Sequence, residues 1–229
     1  MNHNKETVLG LKKLDKVFII VLPVIIGGVL GWYIPAIADW LLTLPFIPME
    51  GLLEKIVSFD RFLVSVIASV IGIILGFAFS WYVFYETLKI QISEQEVQLY
   101  IRNTQQVIKK GDITAVFMEQ KQLVIQDLDG NESFREVSDI EVERVEEAFR
   151  EHGYPWCDED PYLHEFRKWE LGNSVFPSEI NSILYERLKA IREDEEKQAN
   201  LLKQDLNKLG VVVKDRKTEQ YVRMVKPNN

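Results

Sequence analysis

The side chains with the most chemistry to offer in this 229-residue sequence are cations near its C-terminal end. Arg187, Arg192, Lys214 and Arg223 are of the type that contacts nucleic-acid phosphates, and Lys189, Lys203, Arg216 and Lys217 lie among them. The ordinary role of such cations is a solvated helix face with ion pairs one turn apart. Metal or acid–base chemistry has little to draw on: three histidines (His3, His152, His164) and one cysteine, Cys157. Their spacing matches no zinc pattern, and a lone cysteine excludes an internal disulfide. The sequence contains no phosphate loop and no Gly-x-Ser-x-Gly elbow. Carboxylate pairs such as Asp158 and Asp160 are easily found among 35 acidic residues and say little alone. No catalytic residue, metal or cofactor is expected, and the chain reads as a non-enzyme.

What must position those cations is a chain of uneven grain. Hydrophobic residues make up 47% and charged residues 27%, which are globular values and exclude overall disorder. The apolar residues are concentrated. Val17 to Ala38 and Phe62 to Tyr85 carry no charged side chain over 22 and 24 residues. Each run, as a helix, exceeds a hydrocarbon core of about 30 Å. Two transmembrane helices are therefore predicted, within an anchor spanning 1–85. Ala36-Ile37-Ala38 before Asp39 has the look of a signal-peptidase site. The run is too long for a signal core, however, and Trp32, Tyr33 and Trp40 suit an interfacial belt, so an uncleaved span is expected.

Four lysines precede the first span, whereas the 39–61 loop holds Lys55 and Arg61 against four acids. That asymmetry predicts a multi-pass protein of the plasma membrane with both termini in the cytoplasm. The apolar segment from Trp40 to Val57, with Pro45 and Pro48, reads as interfacial. Gly27 and Gly31 in the first span, and Ser65, Ser69, Gly72 and Gly76 in the second, have the small-residue spacing that lets helices pack closely in lipid, as a hairpin or a dimer. Neither span carries an ionisable side chain of the kind an ion path uses.

After Glu86 the period changes to two. Leu88, Ile90 and Ile92 alternate with polar residues; Val97, Leu99 and Ile101 follow, Ile113, Ala115 and Phe117 form another alternating set, and Leu123 and Ile125 come next. Asp129-Gly130 marks a tight turn before Phe134 and Val137. Five or six short strands are predicted. Ser138-x-x-Glu141 reads as a capping box opening a helix with Val142, Val145 and Phe149 on one face, and Gly153 stops it. This antiparallel meander closed by one helix, residues 86–153, resembles a bacterial pleckstrin-homology (PH)-like domain. It is expected to fold alone as residues 86–172.

Residues 154–176 read as a linker. Asp160 and Pro161 suit the start of a short helix with Tyr162, Phe166 and Trp169 on one stripe. In the tail, 177–229, Ile180, Ile183, Leu184, Leu188 and Ile191 form one helical stripe, and Ala199, Leu202, Leu206 and Leu209 another. Asp194 reads as the cap of the second helix. After Gly210, Val211-Val212-Val213 and Tyr221-Val222-Arg223 form a small appended ribbon. The fold class predicted is thus a membrane-anchored α+β chain: two transmembrane helices, a PH-like β domain with its helix, then a helical hairpin with a ribbon.

The stretch Glu186-Arg187, Ala190, Ala199, Leu202, Asp205-Leu206, Leu209-Gly210-Val211, Lys214-Asp215 and Tyr221-Val222-Arg223 resembles the C-terminal anticodon-binding module of cysteinyl-tRNA synthetase. It departs at Thr218-Glu219-Gln220-Tyr221, which lacks that family's Gly and Trp. The two spans, the PH-like unit, the segment from His152 to Trp169 and this tail together resemble the YqeB family of Gram-positive bacteria over nearly the full length. That resemblance implies an architecture and no activity. Charge bears on the nucleic-acid reading. Residues 1–85, 86–150, 151–176 and 177–229 carry nets of 0, −6, −4 and +2. A +2 tail beside a net charge of −10 is a poor footprint for phosphate. The expected partners are the lipid bilayer and a protein, including a second copy. A membrane-tethered RNA binder and an accessory subunit of a transporter are the alternatives.

Overall fold

A computed structural model of the chain describes residues 6–43, 51, 58–172 and 175–225. The expected interfacial segment around Pro45 and Pro48, and His3, lie outside them. The chain divides into two compact units, residues 10–89 with 100–104, and the remainder.

The first unit is a pair of long helices, α1 (Lys13–Leu41) and α2 (Arg61–Glu86), each long and apolar enough to cross a membrane. Asp60 caps α2 by accepting from the Leu63 amide at 2.9 Å. Beyond α2, Glu86 pairs with Arg102 at 2.7 Å.

The second unit is mixed α and β. One antiparallel sheet runs β1 (Thr7–Leu9), β2 (Lys89–Ile92), β3 (Glu96–Ile101), β4 (Thr104–Lys109); another runs β5 (Ala115–Glu119), β6 (Gln122–Gln126), β7 (Glu132–Val137). Helix α3 (Val142–Glu151) follows. Period-two alternation puts Ile90, Ile92 and Val97 inside, whereas β5 and β6 are buried on both faces, Leu123 and Ile125 on one and Phe117 with Val124 on the other; Val145 and Phe149 of α3 are fully buried as well. Gly130 and Gly153 take the positive φ their turns require, +83° and +65°.

Two features redraw the sequence boundaries. Residues 7–9, upstream of the first long helix, pair with β2 in the register Thr7↔Ile92, Val8↔Gln91 and Leu9↔Ile90. The helical pair is therefore inserted in the first β-hairpin of the sheet. At the other end, the segment read as linker adds to β5. The Val116 amide donates to the Pro155 carbonyl and the Cys157 amide to the Val116 carbonyl. Tyr154 and Trp156 both pack on Phe149.

Three local expectations are corrected. Helix α3 starts without a capping box. The Ser138 hydroxyl accepts from the nearby Ile140 amide at 3.3 Å, and the helix enters at Glu141 with no side-chain cap. The short aromatic helix is absent. Asp160 accepts from the Tyr162 amide at 2.9 Å, one 3₁₀ turn follows at Leu163–Glu165, and the chain extends into β8 (Arg167–Lys168). Asp194 does not cap a helix, because it takes a left-handed φ of +56° that turns α4 (Ser178–Arg192) into α5 (Glu196–Lys208).

The tail closes with β9 (Val211–Arg216) and β10 (Glu219–Met224) in a sheet ordered β8-β10-β9. Its core joins Trp169, Phe176, Ile180, Leu184, Leu206, Val211, Val213 and Val222.

Candidate interaction site

The ribbon β9–β10 has two faces, set by its register of Glu219↔Arg216 through Met224↔Val211. Val211, Val213 and Val222 lie on one face with Asp215 and Gln220, toward α4 and α5. Val212, Lys214 and Arg223 lie on the other. Val211, Val212 and Val213 are all fully buried, so both faces of the ribbon are covered.

On the helix side stands Arg187, 2% exposed. Its guanidinium donates to both Asp215 carboxylate oxygens at 2.7 Å, to Gln220 Oε1 at 2.7 Å and to the Ala199 carbonyl at 3.1 Å. Gln220 in turn donates to the Leu184 carbonyl. These four hydrogen bonds turn the planar cation into the protein. Arg187 is therefore removed from the set of phosphate contacts that the sequence suggested.

The other face meets the two-sheet domain. Lys214 Nζ lies 2.6 Å from Glu119 on β5 and 2.6 Å from Asp160. It also stands over the Phe166 ring at 4.6 Å and the Phe117 ring at 5.8 Å. Arg223 is buried and donates to the Gly130 carbonyl in the β6–β7 turn. It stacks over Tyr162 at 4.4 Å and Phe166 at 5.6 Å. Three aromatic rings thus cage two cations of the ribbon, with carboxylates completing the shell. Tyr162 and Phe166, read as one stripe of a helix, belong to this cage, while Trp169 passes into the tail core and donates to Asn181.

The electrostatics follow from that geometry. Burial pushes the Glu119 carboxyl up, but hydrogen bonding by Lys214 and the charge of Arg135 outweigh it and hold it below the usual range. Asp160 is likewise held low: burial opposes ionisation, and Lys214 and the Tyr162 amide overcome it. Arg135 bridges Glu132 at 2.5 Å and Glu119 at 2.8 Å. On α5, Lys203 is pushed down by burial, against the attraction of Glu132. Asn207 donates to the Glu132 carbonyl and ties α5 to β7. Of the four cations singled out in the sequence, Arg192 alone is exposed. Three are spent on the protein.

The remaining sequence candidates fall elsewhere. His152 is buried, its Nε2 2.8 Å from the Thr7 hydroxyl of β1. His164 is exposed. The Cys157 thiol is pushed up by burial and by Asp158 and Asp160, opposite to what a reactive thiolate needs. Among the described residues no group of three or more His, Cys, Asp or Glu is placed to hold a metal ion.

In the helical pair, Gly27 faces Gly72 backbone to backbone, and a Cβ on either would overlap the other's carbonyl. Gly31 meets Ala68 in the same way, and Gly76 meets Pro23. Ser65 donates to the Trp32 carbonyl and Ser69 to the Gly28 carbonyl, both at 2.9 Å. Small residues permit the approach, and the hydroxyls bond across it.

Comparison with known proteins matches residues 7–157 to the YqeB-like bacterial PH domain and residues 173–223 to the cysteinyl-tRNA ligase anticodon binding domain. The first match begins at β1 and ends at Cys157, where the chain leaves β5. The uncharacterized protein YqeB of Bacillus subtilis (strain 168) is 34% identical over 224 residues, 97% of this chain and 93% of that protein. No solved structure gives a significant match. The chain belongs to the YqeB family, with a PH-like domain and an anticodon-binding-like tail.

Proposed function

We propose that this chain is a non-catalytic, membrane-tethered interaction protein whose PH-like domain and tail engage a protein partner or a second copy. The observation that carries the reading is the placement of Lys214 and Arg223. Cations that an RNA-binding module would turn to phosphate are turned here to Glu119, Asp160 and aromatic rings. The tail module is used for protein–protein contact within its own chain, which is the chemistry of an interaction domain. The test is cross-linking in native membranes. Adducts with a protein partner or a second copy are expected. Adducts with RNA alone would overturn the reading.

The pairing of β1 with β2 supports a cytoplasmic location of both ends. Strands on either side of the two long helices share one ladder, so they share one side of any membrane those helices cross. The lysine excess before Val17 supports the cytoplasm as that side. A cysteine introduced at Thr43 should react with an impermeant thiol reagent in whole cells, and Cys157 should not. Labelling of Cys157 from outside would reverse the assignment.

The anticodon-binding-like match favours one second reading, a membrane-tethered RNA binder. It requires selective, sub-micromolar binding of one transfer RNA at ~150 mM salt, against the roughly 10⁻⁴–10⁻⁶ M of non-specific association. A titration of the full chain against several transfer RNAs decides between the two.

A further inference from the structure

The helical unit carries its charge unevenly. Among its described residues Lys12, Lys13, Lys16, Lys89 and Arg102 gather at one end, against Asp15 and Glu86. The opposite end holds Arg61, paired with Asp39 at 3.6 Å, and Asp60. Antiparallel packing brings the five cations to one place. Ser80 lies opposite Ile19, and a Cβ on Gly10 would stand 3.9 Å from the Lys89 side chain. All five cations are exposed. Glu86 is taken by Arg102 at 2.7 Å, and among the described residues Lys13 and Lys16 make no ion pair. We propose that this end of the helical pair is a binding surface for anionic phospholipid headgroups, with Lys13, Lys16 and Lys89 as its principal contacts. The inference rests on reading the two helices as membrane spans and names the lipid they select.

Aromatic side chains set the depth of that surface. Phe18 on α1 and Trp81, Tyr82 and Tyr85 on α2 are exposed at the cationic end, and Trp32, Trp40 and Phe62 at the other. Along α2, Phe62 and Trp81 stand about 29 Å apart, one hydrocarbon thickness. Rings at those two levels belong at the two interfaces. Lys16 and Lys13 then lie about 3 and 7.5 Å outward from Phe18, at the level of the headgroups. Two features of α1 favour an anion there. Lys12, Lys13 and Lys16 surround its N-terminal turn and oppose the positive end of its dipole. The helix also opens at Lys12 with no side chain capping its first amides. An anionic headgroup answers both, whereas a zwitterionic one brings its own cation to the same place.

The test is site-resolved quenching of tryptophan in the full chain. Trp32→Phe with Trp40→Phe keeps Trp81 as the reporter of the cationic end, and Trp81→Phe keeps Trp32 and Trp40 as reporters of the other. Trp156 and Trp169 belong to the other unit and give a constant background. Each chain is reconstituted into phosphatidylcholine vesicles doped with phosphatidylglycerol brominated on its acyl chains or, in equal amount, with brominated phosphatidylcholine. Trp81 should be quenched as if the anionic lipid were favoured about five-fold per lysine contact. Trp32 and Trp40 should show no preference. Lys13→Gln with Lys16→Gln and Lys89→Gln should erase the preference at Trp81. Salt at ~1 M, where the screening length is about 3 Å, should erase it without any substitution. A preference that survives either treatment, or that is the same at both ends, overturns the proposal. Equal quenching of Trp81 by the two lipids would remove the headgroup surface and leave the spans standing. Quenching by neither lipid at either end would sink the membrane reading and the proposal with it.

Discussion

Ser80 supplies what Pro23 withholds. A helical carbonyl accepts from the amide four residues on, and the partner due to Ile19 is residue 23, a proline with no amide hydrogen. The Ser80 hydroxyl on α2 donates to that carbonyl at 2.7 Å and shares its hydrogen with its own Gly76 carbonyl at 2.9 Å. In hydrocarbon a backbone carbonyl without a donor is costly, so the serine allows the proline. Ser80→Ala is expected to destabilise the helical pair by about 0.6 and at most about 1.7 kcal/mol, the range for hydrogen bonds between membrane helices. In a Pro23→Ala background the amide returns and the cost of Ser80→Ala should largely vanish. Unfolding titrations of the four chains in mixed detergent micelles measure the coupling. Equal costs in both backgrounds would refute it.

The β1–β2 pairing makes a fragment experiment decisive. Residues 86–172 lack Thr7–Leu9, and with them the strand that covers β2 and the Thr7 hydroxyl that meets His152. They also lack the ribbon that covers the cage. That fragment should be poorly stable and prone to pair through its open edge. A chain joining residues 6–10 through an Asn-Gly turn directly to residues 89–225 restores the strand in its register and removes both long helices. It should be soluble and monomeric, with a cooperative thermal transition that 86–172 lacks. A monomeric, cooperatively melting 86–172 fragment would show β1 to be dispensable.

Much of this architecture can be read from the residues. Uncharged runs fix the long helices, and alternation fixes β2 and β3, because lipid and a one-sided core each impose a period on side-chain type; β5 and β6 are apolar runs buried on both faces. The elements that escape are those whose partner is distant. Thr7-Val8-Leu9 is too short to show a period, and its identity as a strand comes from β2, more than 80 residues on. Tyr162, Phe166 and Trp169 have helical spacing, yet Tyr162 and Phe166 join the cage around Lys214 and Arg223 while Trp169 enters the tail core. The site itself left one signal. Three consecutive apolar residues at Val211–Val213 mean a strand covered on both faces, which already denies the ribbon a free phosphate-binding side. Nothing local says that the second cover is the PH-like domain.

Acid should loosen the seam between the tail and the PH-like domain. Glu119 and Asp160 both have folded-state pKa values below their ordinary ones, so their ionisation stabilises the docked tail above the unfolded range of about 4. That contribution is lost as pH falls from about 4 through the lower folded values. Thermal melts of the full chain in nanodiscs should show the transition of the water-exposed unit drop between pH 5 and pH 3, in approximate terms. Glu119→Gln with Asp160→Asn should flatten that dependence while lowering the transition at neutral pH. An unchanged acid limb in the double variant would place the titrating groups elsewhere.

Arg187 separates a structural tail from an RNA-reading one. Its guanidinium holds Asp215 in a bidentate pair, with Gln220 and the Ala199 carbonyl on its other donors, and the side chain is 2% exposed. Arg187→Ala leaves a carboxylate, an amide oxygen and a carbonyl with no donor in the core of the tail. Breaking a buried pair from one side costs about 3–5 kcal/mol. Asp215 keeps 33% of its side chain in water, so about 3 kcal/mol is the expected loss. Replacing all three groups together, Arg187→Met with Asp215→Leu and Gln220→Leu, removes the charges in concert and should recover most of it, since an apolar substitute for a whole ion pair is often near neutral. The measurements are chemical denaturation and RNA titration on the same samples. If the residue is structural, stability falls in the single variant and returns in the triple, while weak RNA association stays the same throughout. If Arg187 instead reads RNA, the triple variant would be stable and would lose selective binding that the wild type possesses.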